Sequence, residues 1–270
     1  RALILMFDAE WVNRSLFHGL YTRTDSYFAR SDLASTGHPA SELERKLLAP
    51  YLDELHPDVL EGRSRLPVGD GSGNNREALR EAYKLLTEAG YKLEGSRLVH
   101  EKTGAPLAFE FLAATRAQER IMLAYARMLE RLGISVSIRQ VDSAQYWARL
   151  KSFDFDMIQW TWGASLSPGN EQVNRWSSRA ADNEGTLNYA GVKSKAADAM
   201  IDALLTARTY EELTAAVRAF DRVLLSGDYV IPLFHIPKQW IAHWSHLRPP
   251  ERTALLGTDF DTWWQAGEAP

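Results

Sequence analysis

The chain contains no cysteine. That excludes disulfides, thiolate metal ligation and a cysteine nucleophile, but it assigns no compartment, because a domain of this size can manage without bridges. No apolar run approaches the roughly eighteen residues that a membrane helix needs, so no membrane insertion is expected. The opening residues are apolar, yet Asp8 and Glu10 interrupt them and no cleavage-type ending follows, so they do not read as a signal peptide. Neither sign of charge dominates. The 31 Lys and Arg are interspersed with 35 Asp and Glu for a net charge of -4, which leaves no basic stripe and argues against nucleic acid as a partner. A Gly-x-Ser-x-Gly nucleophile elbow, an internal repeat and low-complexity segments are also missing. His243 and His246 are three apart, as on one helical face, but no third ligand with suitable spacing accompanies them, so the histidines read as structural or solvated and no metal or other cofactor is expected.

At 270 residues, 45% of them hydrophobic, the chain can bury a large core as one domain or a domain with an appendage. Ala2 to Leu16 reads as a helix, followed by an aromatic loop carrying Phe17, Tyr21, Tyr27 and Phe28. A second helix is expected from Ser41 to Leu55, where Ser41 and Glu44 have capping-box spacing if Ser41 is the cap. Pro67 to Asn75 is a glycine-rich loop, and Asn75 can cap a helix over Arg76 to Ala89 that Gly90 ends. The pattern then alternates: strand Leu107 to Leu112, helix Gln118 to Leu132 closed by Gly133, strand Ile134 to Val141, short helix Ala144 to Leu150, strand Phe155 to Trp160. Such alternation predicts parallel pairing with right-handed crossovers. Lys195 to Ala207 and Tyr210 to Leu225 read as two packed helices. Tyr229 to Phe234 reads as a short strand that Pro232 confines to an edge or a hinge. From Pro237 onward the chain is irregular and rich in tryptophan, with Trp240, Trp244, Trp263 and Trp264 too apolar to be left freely solvated.

The most informative stretch runs from Phe153 to Gln172. An aromatic, alternating strand ends in Trp160 and Trp162 and enters a small polar loop, which is how a binding surface is set at a strand's carboxyl end. Two apart, Trp160 and Trp162 project from one face of a strand and could wall a cleft or fill a core. Ser165, Ser167, Asn170 and Glu171 offer hydroxyls, amides and one carboxylate, as an ordinary solvated turn also would. Asn188 and Tyr189 could hydrogen-bond an extended peptide backbone, although a turn explains the asparagine equally well. Trp176 and its neighbour Arg175 could stack on or pair with a ligand. With no nucleophile-base pair in the pattern, the site reads as one that holds a ligand rather than transforms it.

Three of these segments carry a family resemblance: Arg1-Ala2-Leu3-Ile4-Leu5-Met6-Phe7-Asp8-Ala9-Glu10-Trp11, Tyr21-Thr22-Arg23-Thr24-Asp25-Ser26-Tyr27-Phe28, and Phe153 to Gln172. Together they resemble the family 5 extracellular solute-binding proteins of bacterial ABC importers, and most closely the YejA-like, oligopeptide-binding branch. The similarity continues through Gly185 to Gly191, Tyr229 to His235 and Asp261 to Trp264. The resemblance implies an α/β fold equivalent to lobe II of a two-lobe clamp, a mixed sheet with a parallel core flanked by helices, plus an irregular C-terminal tail. Residues 1–231 would form the ligand-binding lobe, and 232–270 the hinge return and a tail that packs on lobe I. Members of the family are much longer, and Arg1 falls inside an apolar run with no cap before it, so the expectation is that lobe I and the signal peptide are missing.

By the same resemblance the chain captures oligopeptides or peptide-like conjugates in the periplasm by hinge closure and delivers them to an ABC permease at the inner membrane. Its ligand-binding residues would be Trp160, Trp162, Ser165, Ser167, Asn170, Glu171, Trp176, Asn188 and Tyr189, together with Arg23 from the aromatic loop as a partner for a carboxylate. In many peptide-binding relatives an aspartate near the Ser165 loop pairs with the ligand's amino terminus. This chain departs from that pattern, and Glu171 is the nearest acid. Two rival readings are a stand-alone protein-interaction domain that uses the tryptophan-rich tail and a serine hydrolase, which would need an activated nucleophile.

Overall fold

The computed structural model describes residues 1–163, 165–254 and 257–267. In chain order the elements are helices α1 (Ala2–Met6) and α2 (Ala9–Phe17), strand β1 (Thr22–Arg23), helices α3 (Glu42–Leu48), α4 (Pro57–Leu60) and α5 (Arg76–Glu88), and strands β2 (Tyr91–Glu94), β3 (Arg97–His100) and β4 (Ala108–Ala113). Helix α6 (Arg116–Glu130), strand β5 (Ser135–Gln140), helix α7 (Ser143–Lys151), strand β6 (Met157–Ile158) and helices α8 (Glu171–Trp176), α9 (Lys195–Thr206) and α10 (Tyr210–Ser226) follow. The last strands are β7 (Phe234–His235), β8 (Leu247–Arg248) and β9 (Trp264–Gln265).

The fold is α/β with a parallel core. Strands β5, β4 and β6 lie side by side in that order, both pairs parallel, with Phe111 of β4 opposite Ile138 and Met157. The antiparallel pairs stand apart from this core as β1 with β7, β2 with β3, and β8 with β9. Caps explain most of the helix boundaries. Asn75 takes the N–H groups of Glu77 and Ala78, both at 3.0 Å, and Thr115 and Gln118 form a reciprocal capping box on α6. Gly133 closes that helix at φ 80°, and a Cβ there would meet the Leu98 backbone nitrogen at 2.8 Å, so the turn suits glycine twice over.

Several elements differ from the sequence expectation, each for a local reason. The helix expected over Ala2 to Leu16 is two helices, because Phe7 leaves helical geometry and Asp8 caps α2, accepting the Trp11 N–H at 2.9 Å. Ser41 is indeed the cap of α3, but that helix stops at Leu48 and tightens into a 3-10 turn over Ala49–Glu54, where Pro50 has no N–H to give. The strand expected from Phe155 to Trp160 is only Met157–Ile158, since the Asp156 carboxylate takes the Glu110 N–H at 2.9 Å in place of a ladder partner. The strand expected over Tyr229 to Phe234 begins after Pro232 and pairs Phe234–His235 with Thr22–Arg23. The β2–β3 hairpin, which turns at Gly95 with φ 64°, has no counterpart in the sequence reading.

Among the described residues, apolar side chains gather in three clusters. One is built around Phe7, Phe111 and Leu129, a second around Trp176, Leu204 and Phe220, and a small third joins Leu112, Tyr146 and Leu150. The second holds two adjacent, fully buried charges of α10. Asp221 accepts from Ser26 Oγ (2.9 Å), the Tyr27 and Ser35 N–H groups (2.9 Å each) and Ser35 Oγ (2.6 Å). Burial pushes its carboxyl above the ordinary range, against the pull of these donors. Arg222 meets Glu44 at 2.7 Å, donates to the His38 carbonyl at 2.6 Å and reaches the Val59 carbonyl. Residues 26–62, in which an irregular loop leads into α3, the 3-10 turn and α4, are fastened to α10 by these groups.

Glu44→Ala leaves the Arg222 guanidinium buried without its counter-ion and is expected to lower stability by about 3–5 kcal/mol. Urea unfolding followed by circular dichroism measures it. A loss below about 1 kcal/mol, the worth of an exposed pair, would show that the pair does not anchor the segment.

Candidate ligand-binding site

A cleft of ≈ 750 Å³ opens beyond the carboxyl end of β6. Its walls are the run Phe155–Gly163, the Thr24–Arg30 loop after β1, and Tyr229–Ile236 leading into β7, with Tyr189, Arg175 and Trp176 closing one side. Site volumes for small ligands commonly run from about 300 to 1,000 Å³, and they lie outside strand carboxyl ends in open α/β sheets.

Five of the ten residues singled out from the sequence line this cleft: Trp160, Trp162, Ser165, Trp176 and Tyr189. Trp160 packs edge-on against Tyr189, ring centroids 4.8 Å apart, and against Trp147 at 5.7 Å, while its buried indole N–H has no partner among the described residues. Trp162 goes elsewhere. Its ring lies 4.6 Å from Trp176 and its N–H donates to the Leu187 carbonyl at 3.3 Å. The shared face expected of two residues two apart does not arise, because regular strand geometry ends at Ile158 and the indoles join different clusters. Trp176 is core, 3% exposed and edge-on to Tyr27 at 5.0 Å, and so forms the floor of the cleft.

The other five lie outside the cleft lining, and three are visibly engaged by the fold. Asn188 is buried, donating to the Ser177 and Val192 carbonyls at 3.0 Å each and accepting the Val192 N–H at 2.9 Å. Glu171 folds back on its own loop, accepting the Gly169 N–H at 3.0 Å and Gln172 Nε2 at 3.1 Å. Partial burial opposes the Glu171 charge, but the Gly169 N–H and the other donors outweigh it and hold the carboxyl below its ordinary value. Arg23 donates to the Pro67 carbonyl at 2.7 Å and lies over the Phe7 ring, with Nε and Nη2 buried and without a partner among the described residues. Burial lowers its pKa against the pull of Glu10 and Asp8. Ser167 and Asn170 are exposed on the loop. His243 rests edge-on against Trp263 at 4.9 Å.

The structure adds Gln159, which periodicity gave no reason to choose, and sets Arg175, read from the sequence as a possible ligand partner, in the same lining. Gln159 Oε1 and Arg175 Nε are buried without a partner among the described residues, although Arg175 Nη1 holds the Gly163 carbonyl at 2.8 Å. Buried polar atoms are nearly always paired, so three unpaired ones in one cleft, Trp160 Nε1 included, are groups a ligand or water would satisfy. At the opposite end Thr24 Oγ1 and His235 Nδ1 are 3.0 Å apart. Burial and Arg30 lower the His235 pKa against the pull of Asp25, so the ring is neutral at pH 7. Burial also raises the Tyr189 phenol, which stays protonated there.

Of the expected tail, Phe234–His235 pair with β1 at the cleft, while farther on β8 pairs with β9 and Phe260 packs against Trp263 at 5.4 Å. Trp240 and Trp244 are 74% and 76% exposed. The expected 232–270 tail includes positions 255, 256 and 268–270, which lie outside the described residues.

Residues 1–184 match the model of bacterial extracellular solute-binding proteins, family 5, middle region. Relatives include the peptidoglycan-binding protein YepA of Agrobacterium fabrum, 44% identical over 259 residues, covering 96% of this chain and 42% of that protein. The probable peptide-binding protein YejA of the same organism is 43% identical over 265 residues, covering 98% of this chain and 43% of its own length. Among solved structures, the oligopeptide-binding protein AppA of Bacillus subtilis in complex with a nonapeptide superposes with a TM-score of 0.67 at 16% identity, over 98% of this chain and 46% of AppA. The chain thus spans less than half the length of the curated relatives it matches. On the family match and the identity to YejA and YepA together, this chain belongs to the family 5 bacterial extracellular solute-binding proteins, in their YejA-like branch, and corresponds to their C-terminal portion.

Proposed function

We propose that this chain is the ligand-holding portion of an ABC importer's binding component, and that its cleft takes oligopeptides or peptide-like conjugates for delivery to an inner-membrane permease. The observation that carries the reading is the make-up of the cleft. Aromatic surface from Trp160, Trp162 and Tyr189 lies beside the unpaired polar atoms of Gln159, Trp160 and Arg175. An extended peptide presents that combination: apolar side chains alternating with amide N–H and C=O groups that need partners. The names of YejA and YepA point the same way, to peptides and to a peptide-bearing polymer. On this reading the protein binds without bond-breaking chemistry, works in the periplasm and closes about its ligand by a hinge. Residues 1–231 form the binding lobe and 232–270 the return across the hinge with the tail. Asn188, Glu171 and Arg23 serve the architecture of the site rather than the ligand.

Titration of an oligopeptide mixture against the chain, followed through the indole N–H resonances, tests it. Trp160→Ala and Tyr189→Ala are each expected to weaken binding roughly thirtyfold, the loss of about 2 kcal/mol typical of a central aromatic anchor. Ser167→Ala and Asn170→Ala are expected to bind as the parent does. Asn188→Ala, by contrast, is expected to lower unfolding stability by about 2–3 kcal/mol, because it abandons two carbonyls and an N–H in the core. Unchanged affinity in both aromatic variants would place the ligand elsewhere.

A further inference from the structure

Helix α7 ends in a conformation that its closing residue does not favour. The Phe153 N–H donates to the Leu150 carbonyl at 3.3 Å and the Asp154 N–H to the Arg149 carbonyl at 2.9 Å, the paired closure that a left-handed residue gives a helix end. That residue is Phe153, at φ 56°. Glycine ordinarily takes this position, because a Cβ is opposed there. His18, Arg30 and Asp228 also have positive φ, but histidine and aspartate tolerate the region better than a bulky aromatic does. The chain therefore keeps a phenyl ring where the backbone alone would select glycine. Strain of this kind persists only where the surroundings over-determine it, and it gathers at functional sites.

The Phe153 side chain stands behind the cleft rather than in it. It is half-buried, and the lining on this stretch begins at Phe155. Its ring is edge-on to Tyr189, with centroids 6.1 Å apart and planes at 78°. Phe155 meets the same Tyr189 ring at 5.9 Å and Trp160 meets it at 4.8 Å. Tyr189 lies on a turn outside any helix or strand, and its backbone is held through Asn188, which is bonded to Ser177 and Val192. The direction of its ring is left to the three aromatic rings packed on it. Phe155 and Trp160 face the cleft themselves, so Phe153 is the one of the three that supports Tyr189 from outside the lining.

We propose that Phe153 is a positioning residue of the cleft: its ring, kept at a strained helix end, braces the Tyr189 ring in the orientation that receives the ligand. The inference rests on the peptide-binding reading above. It separates stability from affinity at this position, because glycine relieves the backbone and alanine does not, while both remove the brace.

The test uses the 270-residue chain labelled with 3-fluorotyrosine, in which Tyr189→Phe assigns the Tyr189 fluorine signal, and the peptide Ala-Phe-Ala as the binding probe, read by indole N–H shifts. Phe153→Gly is expected to unfold at a higher urea concentration than Phe153→Ala. Both are nevertheless expected to move the Tyr189 signal toward that of a solvated tyrosine and to weaken Ala-Phe-Ala by the same roughly three- to tenfold, the worth of one edge-to-face pair. Phe153→Tyr, which keeps the ring, is expected to retain most of the parent's affinity. In a Tyr189→Ala background Phe153→Gly is expected to cost no further affinity, as a residue acting through Tyr189 must. An unmoved Tyr189 signal in Phe153→Gly overturns the brace, and so does an affinity that follows the urea midpoints, with the glycine variant binding like the parent. If Ala-Phe-Ala shifts no indole N–H of the parent, the peptide reading falls and takes the ligand-receiving role of Phe153 with it, even where the fluorine signal moves.

Discussion

Two neighbouring residues of one helix hold in place the chain from Ser26 to Val59. Asp221 and Arg222 are both fully buried, and successive side chains on a helix point about 100° apart. One therefore reaches the Ser26–Ser35 loop while the other reaches Glu44 of α3, the His38 carbonyl before it and the Val59 carbonyl of α4. Neither charge would be tolerated in the interior alone. The carboxylate is accommodated because four donors converge on it, and the guanidinium because it meets Glu44 and two carbonyls. A segment of short helices joined by irregular loops thus acquires one defined path. The Thr24–Arg30 wall of the cleft belongs to that path, so the binding surface inherits its rigidity from a polar network rather than from a sheet.

Much of the scaffold was legible because its signals are local. Asn75 and Gly90 bracket α5, Gly133 closes α6, and the alternation from Leu107 to Trp160 correctly implied parallel strands. Where the reading went astray, the deciding contact lies far along the chain or depends on a side chain's second role. Asp8 is an acid within an apolar run, and nothing in the run shows that it caps a helix while also taking the Gly73 N–H at 2.9 Å. Pro50 and Pro232 were visible, yet the extent to which each shortened its element depended on neighbours the sequence does not rank.

The site was legible in outline only. The strand-end aromatics and the loop after them did mark the cleft, and Trp160 and Tyr189 stand in its wall. Counting residues along a strand could not separate Trp160 from Trp162, because the strand ends before either of them. Glu171 and Asn188 looked like recognition groups because their chemistry suits a ligand, but the same chemistry suits a turn, and local partners claimed both.

The long reach of these contacts also governs when the cleft can exist. Ser26 and Asp221 are 195 residues apart in sequence, and Thr24 and His235 are 211 apart. During synthesis, roughly two hundred residues must emerge before either wall-forming contact can close, and loop-closure entropy opposes it until the separate clusters have condensed. The parallel sheet and its helices can form from nearby sequence in the meantime. Assembly therefore runs from scaffold to cleft, and the ligand surface is completed only as α10 and β7 arrive.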